Sequence, residues 1–159
     1  MGAIGSERAA SANERAGETT SPPRVSRLYA LAAVLSLAGL ADAVYLTVEH
    51  LTGRSVRCTV TSGCSEVLAS PYATIGDYPL ALLGALAYFT AFSLATLAAF
   101  GSQRAGNLFA LLVGLMFAVS LWLLYLQAFV LHAFCQYCLL SAAITTLLAG
   151  LAVARRAWK

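Results

Sequence analysis

LFALLVGLMFAVSLWLLYLQAFVL, residues 108–131, contains no Asp, Glu, Lys or Arg. A helix needs about 20 predominantly apolar residues to cross the hydrocarbon core of a bilayer, and this run has that length with no charge in it. Outward from it the pattern repeats. The short connection GSQRAGN at 101–107 leads back to an apolar run at 78–100, where Pro79 suits the first turn of a helix. Downstream, a further run extends from about 135 to 153, and near the start of the chain another covers about 28–48. Composition agrees, with 60% hydrophobic and 11% charged residues among 159, too little charge to cover a soluble surface. The fold class expected is an all-α membrane protein. It is a four-transmembrane-helix bundle with spans near 28–48, 78–100, 108–131 and 135–153 and a long outer loop at 50–77.

Residues 1–27, MGAIGSERAASANERAGETTSPPRVSR, are polar and small with no apolar periodicity, so a disordered cytoplasmic tail is expected there. Arg24 and Arg27 before the first run, and Ala41-Asp42-Ala43 within it, imitate a cleaved signal peptide. The apolar character continues past that point through Val44, Tyr45, Leu46 and Val48, which favours an uncleaved span. An even number of spans puts both termini and the 102–107 turn on one side. That side holds Arg8, Arg15, Arg24, Arg27, Arg104, Arg155, Arg156 and Lys159; the other holds only Arg54 and Arg57. By the positive-inside rule both termini, including the short end at 156–159, are cytoplasmic. The membrane expected is the cell's inner (plasma) membrane. All four cysteines then fall on the outer, oxidising face.

CQYC at 135–138 sets two thiols at the head of the last span. Helix residues three apart share a face, so a disulfide between them is within reach. The unpaired N–H groups of a helix N-terminus stabilise a thiolate, the form that attacks a disulfide. A structural staple and a zinc site are the plain alternatives. So short a closed loop gains little chain entropy, and zinc needs thiolates that an oxidising compartment opposes, so no metal is expected. Cys58 and Cys64 in CTVTSGC are, taken alone, equally a loop staple or a mobile shuttle. Their loop of roughly 27 residues is longer than most structureless connections, which points to function. On one face with CQYC the shuttle reading is the better one. A soluble dithiol gives electrons to the loop pair, and the loop pair exchanges with the helix pair through a mixed disulfide. A lipid-soluble two-electron acceptor at the boundary, a quinone, then receives them.

The ordered set of a loop C-x5-C, then CSEVLASPYATIGDYPLALLG at 64–84, then FCQYC at the head of the last span resembles the vitamin K epoxide reductase (VKOR) family. It is most similar to the bacterial branch, which reoxidises periplasmic thioredoxin-like oxidants with a membrane quinone. The resemblance extends over residues 28–153. It implies that Cys58, Cys64, Cys135 and Cys138 are catalytic. Cys58 would meet the soluble partner, Cys64 would pass electrons to Cys135, and Cys138 would face the quinone. Ser70 matches a family serine near the exchange site and quinone pocket. The family's bundle surrounds the quinone beneath a short helix in the first outer loop, which here would begin over 65–69 with Ser65 as its cap. The acceptor implied is a quinone of ubiquinone, menaquinone or phylloquinone type. The partner implied is a separate thioredoxin-like (DsbA-type) protein of the periplasm or cell exterior, with no nucleic acid involved.

The resemblance also has departures. Vertebrate members hold vitamin K with an asparagine before the second span and a tyrosine four residues after the CxxC; Leu80 and Ala142 stand at those places here. That favours a quinone-reducing thiol oxidase over epoxide reduction. A second class of quinone-linked thiol oxidases places its CxxC in the first outer loop, and the reversed order here sets it aside. A disulfide-stapled, non-catalytic membrane subunit is the reading from a different class. Asp42 lies inside the first span, where an ionisable group is costly. With Ser70 and Tyr137 it is expected to bind or support the quinone, a protonated or paired aspartate at a helix interface being the plain alternative. Gln127 and His132 fall near the same end, and Tyr72 and Tyr78 suit an interfacial aromatic belt. Ser36, Gly39, Gly84 and Gly114 suit close helix packing.

Overall fold

The computed structural model describes residues 23–157, apart from 55, 57 and 60–62. Four helices are long and apolar enough to cross a membrane. Helix α1, Pro23–Leu51, begins at a proline, which helix starts tolerate because the first N–H has no partner there. It stops where Gly53 takes a left-handed φ of 65° and its N–H bonds to His50 O. The short helix α2 is Cys64–Leu68. A 3-10 turn at Pro71–Ala73 leads into strands β1, Thr74–Ile75, and β2, Tyr78–Pro79. Helix α3 is Leu80–Ala99, and α4 is Gln103–Tyr125, prolonged by one π-helical turn, Leu126–Val130. Helix α5 is Gln136–Ala157.

Helix ends depart from the expected spans for local reasons. α1 reaches back to Pro23 rather than beginning at 28; the rest of the expected tail, residues 1–22, lies outside the described residues. Tyr78 and Pro79 do not start a helix. Ile75 pairs with Tyr78 across the two-residue turn Gly76-Asp77, where Gly76 has φ 62°, a conformation that suits a tight hairpin. Gly63, not Ser65, stands at the N-cap of α2, and no side chain caps it. Ser65 is already inside the first turn.

The four long helices form a closed ring in which α1 packs on α3 and α5, and α4 packs on α3 and α5. Lipid gives two apolar helices no hydrophobic reason to associate, so small residues that let backbones approach carry the packing. Ala32, Ala43, Ala85, Ala91, Ala95, Ala98, Ala105 and Ala152 line the buried seam. Gly39 leaves the space that the buried ring of Tyr88 fills, since a Cβ there would collide with it. Ser36 is fully buried, with Oγ donating to Ala32 O at 2.8 Å. Gly114, by contrast, is exposed with nothing near its missing Cβ. Outward faces carry large apolar side chains such as Leu111, Leu115, Trp122 and Phe129, as lipid-facing surfaces do.

The end of the bundle away from the cysteines is locked by a buried cation. Arg155 donates from Nη1 to Tyr29 Oη and from Nη2 to Asn107 Oδ1, each at 2.6 Å. Those bonds join α5 to α1 and α4. Tyr29 also stands edge-on to Phe109, with centroids 6.1 Å apart.

Candidate functional site

Four pieces of chain meet at the other end: the last turns of α1, the loop leading into α2, the π turn of α4 and the first turn of α5. Cys58 and Cys64 form a disulfide with Cα atoms 5.8 Å apart, a normal span for such a bridge. Cys135 and Cys138 are free thiols. Cys64 and Cys135 are fully buried in one apolar cluster with Leu46, Val56, Val67 and Ala133, and Cys58 and Cys138 pack against it. The structure thus brings all four cysteines together.

Three contacts hold this arrangement. A Cβ on Gly63 would stand 2.8 Å from Phe134 N and 2.9 Å from Ala133 Cβ. Only glycine therefore lets the backbone before Cys64 press on the backbone before Cys135. Thr59 donates from both N and Oγ1 to Gln136 Oε1, at 3.1 and 3.3 Å. That ties the residue beside Cys58 to the interior of CQYC. Gln127 is buried, and its Oε1 accepts the Cys135 N–H at 3.0 Å. The expectation placed Gln127 only near the quinone head. Its hold on Cys135 depends on the π turn, which re-aims the residues it carries and leaves no mark in an apolar run.

The two helix thiols face different ways. Cys135 precedes α5, and its carbonyl accepts the Leu139 N–H at 3.0 Å. A hydrogen bond from Cys138 holds the Cys135 thiol down to about 7. Burial and the Asp42 carboxylate act in the opposite direction, and the backbone N–H groups of Tyr137 and Cys138 reinforce the lowering. This lowering favours the Cys135 thiolate, the nucleophilic form. Cys138, one turn on, opens onto a cavity of about 420 Å³ between α1, α3, α4 and α5, which Cys135 does not line. That volume suits a small-molecule site.

The other expected residues divide. Ser70 and Asp42 line the cavity, as do Leu80 and Ala142. Ser70 Oγ donates to Val67 O at 2.7 Å and so braces α2. Tyr137 does not line the cavity; its ring tilts against Tyr45 with centroids 5.3 Å apart. Successive helix residues are rotated by about 100°, so with Cys138 facing inward its neighbour turns to the outer face of α1. His132 is exposed and outside the cavity, with a left-handed φ of 50°. Tyr72 and Tyr78 are exposed, as an interfacial belt requires. Among the described residues no cluster suits a metal ion.

A disulfide packed on a dithiol, above an apolar cavity inside a four-helix bundle, defines a multi-pass membrane oxidoreductase of the thiol–disulfide type. Residues 30–153 match the model of the vitamin K epoxide reductase family, and the chain belongs to that family. Its members are oxidoreductases that link disulfide exchange to quinones and generally act with thioredoxin-like partners.

Proposed function

We propose that this protein is a quinone-dependent thiol oxidase of the bacterial VKOR branch, making disulfides outside the inner (plasma) membrane. The observation that carries the reading is the division of labour among the cysteines. Cys64 and Cys135 share one buried cluster, while Cys138 opens onto the cavity. The skew of Lys and Arg toward the end holding Arg104, Arg155 and Arg156 supports cytoplasmic termini and an outer redox site.

Catalysis then follows exchange chemistry. A reduced thioredoxin-like partner attacks Cys58, and its second thiol resolves the mixed disulfide, leaving Cys58 and Cys64 reduced. The Cys64 thiolate attacks Cys135 of the oxidised helix pair. Cys58 next displaces Cys135 from Cys64, restoring the loop disulfide with two electrons now on the helix pair. A loop disulfide beside two helix thiols is the distribution found here. Finally the helix dithiol yields two electrons and two protons to a quinone, giving the Cys135–Cys138 disulfide and a quinol. Leu80 and Ala142 give the cavity apolar walls where vertebrate relatives hold vitamin K with polar side chains, which supports quinone reduction over epoxide reduction.

The test is quinone absorbance with purified protein and a reduced thioredoxin-like oxidant. Cys138→Ala should abolish quinone loss. Cys58→Ala and Cys64→Ala should block the protein partner while sparing a small dithiol that reaches the helix pair directly. Equal loss with both donors would sink the shuttle.

A further inference from the structure

Most polar groups on the cavity wall already have protein partners. Tyr88 Oη bonds Ser141 O, Ser141 Oγ and Thr145 Oγ1 at 2.8–2.9 Å. Ser70 Oγ donates to Val67 O, and Gln127 Oε1 accepts from Cys135 N. Asp42 stands apart. It is only 9% exposed, and its Oδ2 is the single buried side-chain oxygen or nitrogen among the described residues without a hydrogen-bond partner. Among the described residues, the titratable groups that share the cavity are His50 on α1, Tyr72 from the loop, Tyr88 on α3 and Cys138 on α5; α4 contributes none, and no described Lys or Arg lines it. An aspartate kept as an interhelix hydrogen bond would show its partner, and one kept as an ion pair would show a cation. A bare carboxylate in such a wall is costly, whereas the acid form is neutral and offers an O–H donor.

We infer that Asp42 is the proton carrier of the quinone site, its carboxylic acid giving a hydrogen bond and then a proton to a quinone oxygen as the helix dithiol delivers electrons. This rests on the oxidase reading above and names the group that completes its last step. The two thiols lose two electrons and two protons as their S–S bond forms, and the quinone gains two of each. One proton passes from Asp42 to the quinone and is replaced on Asp42 by the proton that Cys138 sheds. The other reaches the second quinone oxygen from water, matching the proton that Cys135 releases to water on forming its thiolate. Asp42 ends the cycle as it began. Its placement supports the role, because it shares the cavity with Cys138.

The experiment compares wild type, Asp42→Asn and Asp42→Glu with a small dithiol donor, reading kcat and KM for quinone. Asparagine keeps the shape and a hydrogen-bond donor but carries no transferable acid proton. The expected result is a kcat lower by roughly 100-fold, the scale of general acid catalysis, with the quinone KM within about threefold of wild type. Asp42→Glu should recover much of the rate. The Cys64–Cys135 mixed disulfide should still be trapped when Asp42→Asn is combined with Cys58→Ala, which removes the resolving thiol, and the helix pair is oxidised chemically. A near-normal kcat in Asp42→Asn, a defect confined to KM, or a glutamate no better than asparagine would overturn the role. Should the variants not fold, infrared difference spectra of wild type decide. A protonated carboxyl band that shifts on quinone addition supports the role, and its absence overturns it. Wild type that reduces no quinone at all would instead bring down the oxidase reading, which the Cys138→Ala comparison tests separately.

Discussion

Gly63→Ala tests most directly how the two cysteine pairs are held together. The backbone of Gly63 has φ −95° and ψ 6°, which alanine adopts without strain, so any effect comes from collision. The added methyl would lie 2.8 Å from Phe134 N and 2.9 Å from Ala133 Cβ. Reaching ordinary contact at 3.4 Å requires the two chains to part by about 0.6 Å. Neither neighbour yields easily: one is backbone, and the other is the buried Ala133. Overpacking of this kind costs about 1–3 kcal/mol. The displaced segment carries Cys64, and disulfide exchange needs its attacking sulfur aligned with the bond it breaks. A misplacement approaching 1 Å lowers such a step by up to about 100-fold, so a fall of roughly 10- to 100-fold is expected in partner-dependent quinone reduction. Oxidation of a small dithiol by Cys135 and Cys138 should change little, because that route bypasses the loop. Both rates come from quinone absorbance, and the Cys64–Cys135 mixed disulfide from non-reducing gels of a Cys58→Ala background, which lacks the resolving thiol. Equal rates with the protein donor in wild type and Gly63→Ala would refute the close-approach argument. Equal loss with both donors would mean that the methyl disrupts the whole site.

The low value at Cys135 predicts alkylation that rises through a midpoint near pH 7, because the fraction of thiolate grows as pH passes that value. In Cys138→Ala, which removes the leading cause, the midpoint should climb toward the ordinary thiol range; an unmoved midpoint would contradict the hydrogen-bond origin. At the opposite end, Tyr29→Phe removes the acceptor of a charge-assisted bond from buried Arg155, a loss of about 1.5–3 kcal/mol. Thermal unfolding in detergent should show a lower Tm, while quinone reduction at room temperature stays intact; an unchanged Tm would mean that Arg155 does not lock the bundle.

The membrane bundle was legible residue by residue. Runs such as 108–131 declare themselves because a spanning helix satisfies its own backbone groups and needs only apolar side chains around it. The cysteine spacings and the 64–84 segment were enough to mark the family, whose model matches residues 30–153. Helix ends were less legible, since Gly76-Asp77 folds Tyr78 and Pro79 into a hairpin where an apolar run suggested helix. Whether Tyr137 lines the cavity depends on a helix rotation that the CQYC motif alone does not give; in the structure it packs on Tyr45 outside the lining. Arg155 entered the reading only as one positive charge among several; its bonds to Tyr29 and Asn107 link residues far apart in the chain.

The sequence by itself determined the number of spans, the basic skew between their ends and the two cysteine pairs, because each is a property of consecutive residues. Only the tertiary structure decided that Gly63 lies against Phe134, that a π turn brings Gln127 to Cys135, and that Cys138 shares a cavity with an Asp42 whose oxygen lacks a partner. Those relations depend on how separate helices rotate and close on one another, and that is settled by packing across the bundle, which no local pattern encodes.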